Sequence, residues 1–149
     1  REKTPLFTTA DTPFEISKAN IVWESENPQA VLIGCGPLLH NALLAAKELE
    51  DEGIGTIVIN NHTIKPMDEK CVISAAKQAG AVVTIEEHQI AGGMGSAVAE
   101  LLAEEHPVPM RFVGVRDQFG QSGTPEELVA HYGLNASAII KEAQMLINK

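Results

Sequence analysis

Four short apolar runs punctuate the chain, and the first three are each followed by apolar positions at helical spacing. AVLIGCG (30–36) leads into Pro37 at a first helical position and then Leu38, Leu39, Ala42, Leu43, Ala46 and Leu49, with Gly53 as the stop. TIVINN (56–61) is the next run, and the stripe after it is Cys71, Val72, Ala75, Ala76 and Ala79, ended by Gly80. AVVTIEE (81–87) precedes the glycines and the stripe Met94, Ala97, Val98, Leu101 and Leu102, and MRFVGV (110–115) is a fourth strand. Helix-containing crossovers between strands of this length predict a mostly parallel sheet. KANIVWES (18–25) also has strand character and is joined to 30–36 by the turn-prone ENPQ, which predicts an antiparallel edge strand there. Thr124 with Glu127 three residues on, and Pro125 between them, form a capping-box pattern; Asn135 caps a last helix with Ile139, Ile140, Ala143, Leu146 and Ile147 inward. The predicted fold is α/β: a three-layer sandwich with a five-stranded mixed sheet, four strands parallel and one antiparallel at an edge, and helices on both faces.

The length of 149 residues suits one domain, and 44% hydrophobic with 21% charged residues is ordinary for a soluble globular protein. No apolar stretch approaches the ~20 residues that span a bilayer. Residues 1–13, extended and polar with Pro5 and Pro13, read as a linker from a missing preceding domain, leaving 14–149 as the domain itself. A first residue Arg1 without a secretory pattern after it leads to the same expectation, a piece of something longer. Two cysteines, Cys35 and Cys71, are too few for a disulfide framework and too far apart for CxxC chemistry, so a reducing cytoplasm is the expected location. Eleven basic against twenty acidic side chains give −9, a balance that argues against nucleic-acid or anionic-membrane partners.

Candidate chemistry gathers where a parallel sheet usually places it, beyond the carboxyl ends of the strands. Gly36, His62 and His88 all fall at that edge. A helix opening near Gly92, Gly93 and Gly95 presents unpaired N–H groups and the positive end of its dipole, a possible anion site together with His62, Glu87 and His88. The same glycines equally suit a tight strand-to-helix turn that lets the helix lie close on the sheet. Nucleotide binding fits poorly, because Leu39 stands where a third glycine of GxGxxG belongs and Asn60 and Asn61 stand where an acid would grip a ribose; no P-loop is present. A metal held by His62, Glu86, Glu87 and His88 is not expected, since adjacent Glu87 and His88 on a strand point to opposite faces. Asp and Glu at strand ends more often serve helix termini or neighbouring loops. Ser96 in GMGSAV lacks the GxSxG elbow of a hydrolase.

FEISKANIV, NNHTIKPMDE, VTIEEHQIAGGMGSAVAELLAEE and GVRDQFGQSGTPEELVAHYGL, in that order, resemble the C-terminal domain of the transketolase family, most closely its split form whose C-terminal half is a separate subunit. EEH with GGMGSAV also resembles 1-deoxy-D-xylulose 5-phosphate synthase and, more distantly, the beta subunit of 2-oxo-acid dehydrogenases. FGQSGTPEEL favours transketolase. The resemblance implies a transferase that moves a ketol unit between sugar phosphates with thiamine diphosphate and Mg, the diphosphate-metal site coming from one domain and the activating glutamate from another. Neither of those domains is present, and the sequence contains no GDG with a downstream Asn to hold metal and diphosphate. The domain is then expected to be catalytically silent alone, with no catalytic residue, metal or cofactor of its own. Its implied role is subunit contact within a homo- or hetero-oligomer. The implied partners are a pyrimidine-binding-type domain of the same chain and a diphosphate-binding N-terminal subunit. Arg1, four residues before Pro5, resembles the family arginine that contacts the sugar phosphate. A regulatory anion-binding module is the alternative reading.

Overall fold

The computed structural model describes residues 4–148, so Arg1 lies outside the described residues. Five strands form one sheet: β1 (Asn20–Glu24), β2 (Pro28–Gly34), β3 (Gly55–Asn60), β4 (Val82–Gln89) and β5 (Met110–Val115), in the order β1-β3-β2-β4-β5. β2, β3, β4 and β5 run parallel, and β1 lies antiparallel on β3 at the edge. The expected edge strand is therefore present, but its partner is not β2. A hairpin across ENPQ would have placed β1 beside β2; instead that side of β2 is taken by β3, and β1 adds outside it with Asn20 opposite Asn60. Turn-forming residues report a change of direction, not which strand occupies the neighbouring place.

The central strands are apolar at nearly every position because both faces are covered. On one face Leu32, Val58, Val83 and Ile85 pack beneath α1 (Leu39–Asp51) and α5 (Ala136–Ile147). On the other Val31, Ile33, Ile57 and Ile59 pack beneath α2 (Glu69–Ala79) and α3 (Met94–Glu105). α1 presents Leu39, Ala42, Ala45, Ala46 and Leu49 to the sheet, all fully buried; three alanines let its axis approach closely, while each buried leucine contributes about 1.5–3 kcal/mol. A single turn of 3-10 helix, Gly36–Leu38, joins β2 to α1, and Pro37 stands within it as expected.

Side-chain caps set the helix ends. Asp68 accepts from Cys71 N at 3.2 Å to start α2 and holds Ala19 N with its other oxygen at 3.1 Å, which ties the entry of β1 to that helix. Gly80 closes α2 in the left-handed region at φ 75°. Asn135 caps α5 by accepting from Ala138 N at 3.0 Å. The short α4 (Pro125–His131) begins with the predicted capping box, Thr124 and Glu127 each bonding the other's backbone N–H.

Candidate functional site

The chain leaves β2 for β3 on one side and next crosses to β4 on the other, so the order reverses between β2 and β4. Connections depart in opposite directions at such a point and leave a crevice beyond the carboxyl ends of the two strands. Here it measures about 510 Å³ and is lined by Cys35, Glu86, Glu87, His88, Gly92 and Gly93, among others. The structure thus brings Glu87, His88, Gly92 and Gly93 together. It separates His62 from them, because β3 ends on the far side of β2; His62 lines a different recess, formed with the segment Thr4–Phe14, where its ring lies 4.7 Å from that of Phe14.

Glu87 and His88 share the crevice although they are neighbours in β4. Pairing of β4 with β5 breaks register between Ile85 and Gln89, and strict alternation of faces is lost over that stretch. His88 Nδ1 donates to Gln89 O at 2.9 Å, which turns its ring along the strand end. Among the described residues no three His, Cys, Asp or Glu side chains converge as metal ligands would.

The floor of the crevice is set by Glu86, which the anion-site reading did not include. It is 2% exposed, and its carboxylate accepts from Met94 N at 2.7 Å and Gly95 N at 2.8 Å. Those are the first amides of α3, the groups that a helix N-terminus offers an anion. The anion at this terminus is the chain's own. Close seating explains two of the glycines: a Cβ at Gly93 would stand 2.2 Å from Glu86 Oε2 and 2.4 Å from Gln89 O, and one at Gly95 would stand 2.5 Å from Thr84 Oγ1. Only Gly92 of the three has a positive φ, 77°, with open space where a side chain would go. Ser96 completes the turn, its hydroxyl donating to Ile90 O at 2.8 Å and accepting from Gly92 N at 2.9 Å. That hydroxyl is a staple rather than a nucleophile.

Burial pushes the Cys35 thiol above its ordinary range, and the neighbouring Glu86 charge pushes it the same way; Cys71 is raised by burial and then by Asp68. Both sulfurs are therefore held as neutral thiols, without the cationic surroundings that activate a thiolate. Two carboxylates at the crevice and helix amides already engaged make it a poor receptor for a phosphate or diphosphate.

The fold and the sequence together place the chain in a family: it belongs to the family described as transketolase, C-terminal domain, which it matches over residues 17–139. Among its relatives is the 6-deoxy-6-sulfo-D-fructose transketolase subunit SqwH of Clostridium sp. (strain MSTE9), 45% identical over 87% of this chain and 40% of that protein. The transketolase of Rattus norvegicus is 33% identical over 100% of this chain and 24% of its own length. A solved structure described as a split gene transketolase, inactive beta4 tetramer, superposes with TM-score 0.93 at 38% identity, over 99% of this chain and 48% of that one. The chain thus spans less than half the length of each of these proteins.

Proposed function

We propose that this chain serves as the C-terminal domain of a thiamine-diphosphate-dependent transketolase of the split kind, acting in subunit contact and leaving the cofactor chemistry to other domains. The carrying observation is the similarity to a transketolase subunit, 45% identity across 87% of the chain. Its physical support is the crevice at the sheet's reversal point. Thiamine diphosphate would need a metal and unengaged donors for its phosphates, whereas Glu86 occupies the α3 amides and Glu87 adds a second carboxylate. These residues do not fit the diphosphate group. The nucleophilic chemistry of ketol transfer would be supplied by thiamine diphosphate held outside this chain. What this chain's residues do is hold a rigid sheet and fixed loops against the neighbouring domains. Unactivated thiols and a strongly acidic surface suit a cytoplasmic setting without nucleic-acid or membrane partners.

The test mixes the chain, as part of its full-length subunit, with the companion diphosphate-binding subunit, thiamine diphosphate, Mg²⁺, a ketose phosphate donor and an aldose phosphate acceptor. Ketol transfer is expected from the mixture and from neither subunit by itself. Saturable binding of thiamine diphosphate to residues 1–149 alone would overturn the reading.

A further inference from the structure

The recess that holds His62 differs in chemistry from the rest of the molecule. It spans about 580 Å³ between the carboxyl end of β3 and the segment Thr4–Phe14, a volume ordinary for a small-molecule site. Although the chain carries a net charge of −9, none of the described residues lining this recess is Asp, Glu, Lys or Arg. Its polar side chains are amides, hydroxyls and one imidazole. Asn20 and Asn60 stand opposite each other in the register of β1 and β3, and both line it. Asn20 Nδ2 donates to Pro13 O at 2.9 Å and so holds the covering segment, while Thr12 Oγ1 accepts from Thr9 N at 2.8 Å and folds that segment into a turn. Gly36, at φ 68°, contributes a stretch of wall without a side chain, with open space where a Cβ would go.

The imidazole carries an unused hydrogen-bonding atom. His62 Nδ1 and Thr63 Oγ1 lie 3.1 Å apart, whereas His62 Nε2 is buried and has no partner among the described residues. A buried polar atom left in that state costs stability until something meets it. The proton on the ring follows the direction of the bond to Thr63, so Nε2 is a donor in one tautomer and an acceptor in the other. A hydroxyl answers both cases. A carboxylate or a phosphate dianion only accepts, and would enter an acidic protein with no cation among the described lining residues to receive it; an ammonium only donates, and would meet no carboxylate there. Next to the imidazole the Phe14 ring, its centroid 4.7 Å away, adds an apolar face that suits C–H groups.

From the unpaired imidazole nitrogen, the facing asparagines and the uncharged lining, we propose that this recess binds an uncharged polyhydroxylated small molecule. The site lies apart from the crevice between β2 and β4, and the proposal stands or falls independently of the function proposed above.

Two-dimensional NMR of the ¹⁵N-labelled chain tests it with two probes of one carbon skeleton, sorbitol and sorbitol 6-phosphate, at about pH 8 where the phosphate is a dianion. Sorbitol is expected to shift the amide signals of Gly36, Asn60 and His62 saturably, and the phosphate to bind at least about ten-fold more weakly. His62→Ala is expected to weaken sorbitol about five- to ten-fold, the worth of one hydrogen bond, and His62→Gln, whose amide both donates and accepts, to recover part of the loss. Asn60→Ala should weaken it similarly while leaving the contact of Phe14 with His62 in place, which separates a lost ligand contact from a released covering segment. Shifts that grow only linearly with sorbitol, or that fall elsewhere on the chain, overturn the proposal. Equal or tighter binding of the phosphate overturns the uncharged class, and sorbitol binding unchanged in both His62→Ala and Asn60→Ala overturns the placement.

Discussion

At Gly93 the backbone is extended, φ −86° and ψ −167°, a conformation open to any residue. The need for glycine there is spatial, imposed by a carboxylate and a carbonyl where a methyl group would go. Gly92 is the reverse case, a left-handed residue with free space around it. The two should therefore respond differently to alanine. Gly93→Ala has to displace Glu86 from the α3 amides and is expected to cost about 2–4 kcal/mol, the sum of overpacking and of buried groups left unpaired. Gly92→Ala meets only the left-handed penalty, about 1 kcal/mol. Urea denaturation of both variants measures the difference; equal losses would mean that Glu86 yields easily and the close seating has no energetic weight. The sequence makes the glycine cluster visible, together with the general habit of strand-end acids to serve helix termini. It does not single out Glu86, because the bond from residue 86 to amides 94 and 95 depends on a turn whose shape only the folded loop defines.

At the level of elements, four parallel strands and their helices were legible because burial on both faces leaves unbroken apolar runs, and because Pro37, Gly80, Thr124 and Asn135 mark helix ends by local chemistry. The partner of β1 was not legible, since choosing β3 over β2 is a competition settled across the sheet. The same limit kept His62 among the candidate residues until strand order placed it in another recess. α4 shows the local kind of determinant most plainly. The backbone N–H of Thr124, and then its side chain, hold the Glu127 carboxyl below the usual range. Its folded value being the lower one, this cap is fully present above the ordinary glutamate range and is lost as pH falls through the depressed value. Amide exchange along α4 should accordingly speed up in acid before the core strands loosen. In Thr124→Ala, which keeps the backbone N–H but loses the hydroxyl, the carboxyl of Glu127 should titrate only partway back toward its ordinary value by NMR, with faster exchange at the start of α4 already at neutral pH.

The whole molecule is a sheet layered between helices, and among the described residues its acids lie at or near the surface except the buried Glu86. A net charge of −9 on 149 residues means that the folded form confines more repulsion than the unfolded chain does. Raising NaCl from about 50 to about 500 mM shortens the Debye length from above 10 Å to below 5 Å, and the melting temperature is expected to rise by roughly 2–5 °C. A fall over the same range, followed by calorimetry, would point to stabilising ion pairs instead; among the described residues one is present, Arg111 with Glu142.

Glu86 and α3 close a loop on themselves, with strand at one end, helix at the other and His88 riding between them. Such a closed circuit has a fixed circumference. Adding or deleting a single residue between Glu86 and Met94 would rotate the helix start away from the carboxylate and leave a buried acid without its donors.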